Sequence, residues 1–165
     1  MRVLGIDTAL RSTGVAVVEG RGNRFQAVEY GRICNAPGLA LSECLRRLDG
    51  GVQEIIQRTR PEAAAVEDIF FCKNARTAMT LGAARGVVIA ACARAGLQVY
   101  QYPPRRVKQA VVGFGGADKS QVRKMVMTLL ALRQEPQEDA GDALAIALCH
   151  LHSLRAPAGL QPKAI

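Results

Sequence analysis

Three strand-like runs open this chain with turns too short to hold a helix between them, and that limits the folds open to it. Val3-Leu4-Gly5-Ile6 is apolar, Gly14-Val15-Ala16-Val17-Val18 follows the turn at Thr8 to Thr13, and Phe25 to Ile33 follows the turn at Gly20 to Asn23. Parallel neighbours need a crossover of a dozen residues or more, so the spacing predicts an antiparallel meander. The period then changes. Leu41, Leu45, Leu48, Val52, Ile55 and Ile56 recur at helical spacing and predict an amphipathic helix over residues 39–59. Gly50-Gly51 lies inside it, at about 1 kcal/mol per glycine relative to alanine, which marks a place for a kink.

Pro61 ends that helix, and Ala63-Ala64-Ala65-Val66 leads into Glu67 as a short strand. Residues 75–95, rich in alanine and glycine, predict a second long helix, and Gln98 to Tyr102 a fifth strand closed by Pro103-Pro104. Helices over 105–112, 119–132 and 139–154 complete the series, with a loop at Gly113 to Gly116. A meander followed by strand–helix–strand crossovers predicts an α/β fold: a five-stranded mixed sheet flanked by helices. One domain over residues 1–154 is expected, with 155–165 as a frayed tail.

Composition fits one core, since 49% of the 165 residues are apolar. The formal net charge of +8 suggests a polyanionic partner, of which nucleic acid is the usual one, although a basic chain also gains solubility. Five scattered cysteines without a Cys-x-x-Cys pair argue against a disulfide framework and a zinc knuckle, and read as buried thiols of a reducing compartment. The chain starts directly on a strand and has no apolar run long enough for a bilayer, so a cytoplasmic protein without a membrane partner is expected.

Four acids carry the chemical signal. Asp7 and Glu67 each follow an apolar strand, where an ionised group is costly unless paired or coordinated. If their strands are neighbours, about 4.8 Å apart, both carboxylates reach one cation. Asp139 and Asp142 stand three apart at the start of the last helix, on one face. Each has an ordinary explanation: Asp caps helices, favours turns, and suits a positive helix terminus. Together they cluster negative charge in a basic protein, and such a cluster repels itself unless a divalent metal neutralises it. All-oxygen donors favour Mg²⁺ or Mn²⁺, one or two ions per subunit, and paired metals suit phosphodiester cleavage.

Val3-Leu4-Gly5-Ile6-Asp7, Val66-Glu67, Lys73-Asn74-Ala75, Val107 to Gly113, Lys119-Ser120-Gln121-Val122 and Asp139 to Ala147 together resemble the RuvC family of bacterial Holliday-junction resolvases. The match keeps its order from residue 3 to about 152. The resemblance implies a ribonuclease H-like fold, a homodimer, and Mg²⁺-dependent symmetric nicking of two strands of a four-way DNA junction in recombination and repair. It also implies a branch-migration complex, RuvA–RuvB, as partner. Asp7, Glu67, Asp139 and Asp142 fall on the family's metal-binding catalytic positions, Lys108 and Lys119 on DNA-contacting lysines, and Phe70 on an aromatic near the opened junction centre. Thr8-Ala9 stands where the family has Pro-Gly, and Asp68 adds an acid beside Glu67 that strand alternation turns away from the site.

Further residues extend this reading. Phe70 beside Lys73 is placed to stack on an unpaired base, with Phe71 assigned to the core. Arg105, Lys108, Lys119 and Arg123, with Arg106 and Lys124, flank a glycine-rich loop; a solvated basic face is the plain alternative to phosphate contact. Gly82, Ala83, Gly86, Ala90 and Ala91 make the second helix slim, for packing on the sheet or against a second copy. Cys149, His150 and His152 do not meet at one point on a helix, which argues against zinc, and leaves the two histidines without an assigned role. Competing readings are a related nuclease acting on RNA, a non-catalytic junction binder, and an actin-like or sugar-kinase ATPase. The last needs two lobes, for which this chain has no room.

Overall fold

The computed structural model describes residues 1–68, 74–157 and 162–165. The meander is formed by β1 (Arg2–Asp7), β2 (Ser12–Arg21) and β3 (Arg24–Cys34). Next come α1 (Leu41–Thr59), β4 (Ala63–Glu67), α2 (Ala75–Arg94) and β5 (Gln98–Tyr102), then α3 (Pro104–Val112), α4 (Lys119–Leu129) and α5 (Glu138–Ser153). The sheet order is β3-β2-β1-β4-β5. The first two joins are antiparallel, and β1–β4 and β4–β5 are parallel. The strands that end in Asp7 and Glu67 are therefore neighbours.

Alternation along the strands sorts the side chains into two apolar layers. Leu4, Ile6, Val15, Val17, Ala64 and Val66 pack on one face against Leu48, Val52 and Val88 of α1 and α2. Val3, Ala16, Val18 and Ala65 pack on the other against α3, α4 and the apolar residues of α5. Positions 3, 5 and 7 of β1 and 63, 65 and 67 of β4 thus look toward α5. Both strand-end acids emerge on the face that carries Asp139 and Asp142.

Two glycines set how closely α5 approaches. A Cβ on Gly5 would lie 2.1 Å from the Ala143 carbonyl oxygen, and one on Gly14 would lie 1.9 Å from that of Asp139. The helix rests directly on the backbone of β1 and β2. Gly50-Gly51 does not break α1, which runs unbroken from Leu41 to Thr59. A Cβ on Gly51 would meet the Ile33 side chain at 2.8 Å, so this glycine lets the helix sit on β3.

Residues 162–165, grouped with the tail in the sequence reading, lie against the sheet edge: Ala164 bridges to Tyr100, and the Ile165 N–H donates to the Val99 carbonyl at 2.9 Å. Among the described residues no helix is long and apolar enough to cross a membrane, and the four described cysteines are free thiols.

Candidate active site

A cleft of about 390 Å³ opens where β1 and β4 end beneath α3, α4 and α5. Asp7, Glu67 and Asp142 line it together with Lys108 and Lys119, and Pro104, Val107, Val122, Ala145 and Ile146 form its apolar walls. The parallel register pairs Ile6 with Val66, which brings the next residues, Asp7 and Glu67, side by side at the sheet end. Asp142 descends on them from the second turn of α5. Asp139 lies just beyond this lining.

The acids burden one another. Burial first, then the charges of Glu67, Asp142 and Asp139, push the Asp7 carboxyl up to about 7 against the pull of Lys119. Glu67 is raised by burial and by Asp142, while Lys119 and Lys108 pull it down. Asp142 is raised by burial and lowered by Lys119. Lys119 Nζ donates to Glu138 at 2.6 Å and to Asp142 at 3.4 Å, and the Glu138 bond is the main cause that raises its own pKa. Four carboxylates thus meet three nearby cationic side chains: Lys108, Lys119 and Arg32, the last 3.8 Å from Asp139.

The four acids gather at one end of the sheet without closing into a ready-made cage. Among the described residues no three acidic, histidine or cysteine side chains draw close enough to form a metal-binding group. The reason is visible in their partners: Asp139 is engaged by Ser12 and Arg32, and Asp142 by Lys119. The donor set is nonetheless all carboxylate oxygen, which suits a hard divalent cation, and its crowding creates the demand for one.

The other residues named from the sequence divide. Lys108 and Lys119 line the cleft. Arg105 is exposed, its stem passing beneath the position a Gly115 side chain would need. Arg123 is tied to Glu135 at 2.6 Å, which makes it a brace between α4 and the α4–α5 connection. Phe70, Phe71 and Lys73 lie outside the described residues. Asp68 sits on the α2 side, where its charge acts on Arg85. Arg85 in turn donates to the Glu67 carbonyl oxygen and, at 2.8 Å, to Gln101, so the back layer steadies the tip of β4. The Thr8-Ala9 turn is stapled by Thr13, whose hydroxyl bonds both the carbonyl and the N–H of Ala9.

His150 and His152 are remote from the cleft, packed at the far end of α5 against Tyr102, Tyr100 and Phe25. Sequence reasoning missed Ser12, Arg32 and Glu138. Glu138 stood next to a named acid, but the other two come close to Asp139 through strand register, which no local motif reports.

A three-stranded meander extended by two parallel strands, with acids at the ends of the first and fourth strands and on the last helix, defines a ribonuclease H-like nuclease. The sequence model of the crossover junction endodeoxyribonuclease RuvC family matches residues 3–150. The chain belongs to that family. A crossover junction endodeoxyribonuclease RuvC from Pelotomaculum thermopropionicum is 52% identical over 153 residues, covering 92% of this chain and 93% of the relative. One from Caldanaerobacter subterraneus subsp. tengcongensis is 46% identical, covering 93% of each. The structure of T. thermophilus RuvC in complex with Holliday junction substrate superposes with a TM-score of 0.92 at 37% identity and 99% coverage of both chains.

Proposed function

We propose that this protein is a Mg²⁺-dependent endonuclease that resolves four-way DNA junctions by nicking two strands symmetrically. The observation that carries the reading is one cleft lined by Asp7, Glu67 and Asp142 and flanked by Lys108 and Lys119. Lys108 and Lys119 draw the phosphodiester toward the acids, and the excess positive charge of the chain holds the DNA arms around it. Asp7, Glu67 and Asp142, joined by Asp139, would hold Mg²⁺, with Mn²⁺ as a substitute. When bound, such ions make a nucleophile of water at neutral pH and stabilise the leaving oxygen. Lys119, bonded to Glu138 and Asp142, presents its ammonium at the side of the cleft where the phosphate would lie. The apolar walls at Val107, Val122 and Ile146 limit water around the scissile bond.

A homodimer belongs to the same reading, because two equivalent clefts match the approximate two-fold symmetry of a four-way junction. The exposed face of α2 supports it. Side chains added at Gly82 and Gly86 would meet nothing within 4 Å inside the chain, and Met79 beside them is 76% exposed. These small residues leave room for a second helix. RuvA and RuvB as branch-migration partners follow from the family likeness alone.

The test is incubation of the purified protein with labelled four-way, duplex and single-stranded DNA and an RNA hairpin, with and without Mg²⁺. Paired nicks in four-way DNA that require Mg²⁺ are the expected result. Asp7→Asn binds the junction but nicks it about 10³-fold more slowly, a loss of about 4 kcal/mol of transition-state stabilisation. Preferred cutting of the hairpin identifies an RNA enzyme, and binding without any nicking by the unaltered protein identifies a junction binder.

A further inference from the structure

Asp7 pairs across the sheet with Gly14, and Gly14 with Arg32. Directly paired residues send their side chains to one face. Arg32 therefore rises on the α5 side of β3, beside the start of that helix. Ser12, two residues before Gly14, faces the same way from β2. Between them stands Asp139, whose backbone lies over Gly14. The Ser12 hydroxyl donates to Oδ2 of Asp139, and Arg32 Nη1 is 3.8 Å from that same oxygen. Both contacts fall on Oδ2.

An aspartate at a helix start has two free side-chain torsions, and a hydrogen bond to one oxygen removes most of that freedom. With Oδ2 fastened on the β2–β3 side, Oδ1 is the oxygen left to turn toward Asp7 and Asp142, both of which feel the Asp139 charge. We infer that Ser12 is a positioning residue for the cleavage reaction: with Arg32 beside it, Ser12 anchors one oxygen of Asp139 so that the other is offered to the cation shared with Asp7, Glu67 and Asp142. This rests on the cleavage reading given above. Outer partners of this kind orient metal ligands, and their loss typically costs 10–100-fold in metal affinity or activity. Ser12 does so without adding charge, so it orients the ligand and leaves its negative charge for the metal.

The test is Mn²⁺ binding to the full chain without DNA, read as loss of the free-ion electron paramagnetic resonance signal. Single-turnover nicking of a pre-bound junction is measured alongside. Ser12→Ala raises the Mn²⁺ dissociation constant about tenfold and slows nicking by a similar factor, with junction affinity unchanged. Ser12→Thr keeps the hydroxyl and stays within about twofold of the unaltered protein. In an Asp139→Asn background, Ser12→Ala adds no further loss, because the two act as one unit. Unaltered Mn²⁺ binding in Ser12→Ala, or an undiminished effect of Ser12→Ala in Asp139→Asn, overturns the inference. If the unaltered protein itself neither binds Mn²⁺ nor nicks the junction, the cleavage reading fails. If it does both while Ser12→Ala matches it, this inference alone fails.

Discussion

The two ends of α5 lie over the same sheet and are held in opposite ways. At its start, half-buried acids crowd together, held by cations and one hydroxyl: Lys119 on Asp142, Arg32 and Ser12 on Asp139. At its end, neutral rings do the work. His150 is fully buried, its Nδ1 is 2.7 Å from the Tyr102 hydroxyl, and its ring lies 4.3 Å from that of Tyr100. Burial pushes the His150 imidazole down to about 4, so it stays uncharged in that packing. Two residues on, His152 stacks on Phe25 at 5.0 Å, and the Arg155 guanidinium lies over that Phe25 ring at 4.9 Å. The contrast teaches a division of labour. The packed end fixes where the helix lies, and that lets the other end keep mutually repelling carboxylates in place.

The seat of the acidic end on β2 is the most sensitive point. In Gly14→Ala the new methyl group would sit 1.9 Å from the Asp139 carbonyl. That neighbour is backbone rather than a flexible side chain, so the start of α5 must lift. A misplacement near 1 Å costs on the order of 10²-fold in rate, and overpacking costs about 1–3 kcal/mol of stability. Nicking assays and thermal unfolding measure the two. Nicking at the normal rate would break the claim that close seating of α5 on the sheet sets the geometry of the acids.

Asp7→Asn should have the opposite effect on stability. The Asp7 carboxyl titrates at about 7 in the folded chain against 3.8 in a model peptide. Between those values the folded state holds more protons than the unfolded one, so stability falls as pH rises through this window, and the full cost is present above it. Without divalent metal, Asp7→Asn should unfold at a higher temperature than the parent protein at pH 8. The gain is a few degrees, at about 2–4 °C per kcal/mol for a chain of this size. It should shrink at pH 5 and vanish near pH 3. Equal gains at all pH values would mean that burial and the neighbouring acids do not make ionised Asp7 costly.

Smaller effects sharpen the contrast. Lys108→Ala should weaken junction binding, lower the slope of log affinity against log salt by about 0.9, and leave thermal unfolding unchanged. Tyr102→Phe should remove the bond to His150 at a cost of about 1 kcal/mol, seen as a fall of a few degrees in unfolding temperature, with nicking intact. A fall in nicking that exceeds the fall in stability would show that the two ends are not independent in the way described.

Much of this was legible in the residues. The short turns at Thr8 to Thr13 and Gly20 to Asn23 dictated the meander, and the crossovers through α1 and α2 dictated parallel strands. A shared site for Asp7 and Glu67 could be read on the condition that β1 and β4 are neighbours, which the sheet order supplies. The grip of Ser12 and Arg32 on Asp139 could not, because it depends on a β2–β3 register that shifts at Val17/Val18. Gly50-Gly51 misled for a similar reason: the local cost of two glycines argued for a kink, but the contact of Gly51 with Ile33 is long-range and keeps α1 whole. The pairing of Arg123 with Glu135 was hidden as well, since the partner lies 12 positions along the chain, beyond the reach of a helical pattern.

The return of Ala164 and Ile165 to β5 bears on how the protein is best handled. An open sheet edge is a template for strands of other molecules. Here Ala164 and Ile165 occupy part of that template at Val99 and Tyr100. Shortening the chain ahead of Pro162 strips this cover and exposes backbone donors and acceptors that recruit neighbouring chains. Preparations lacking residues 162–165 will clump on warming, while the chain that keeps them stays dispersed.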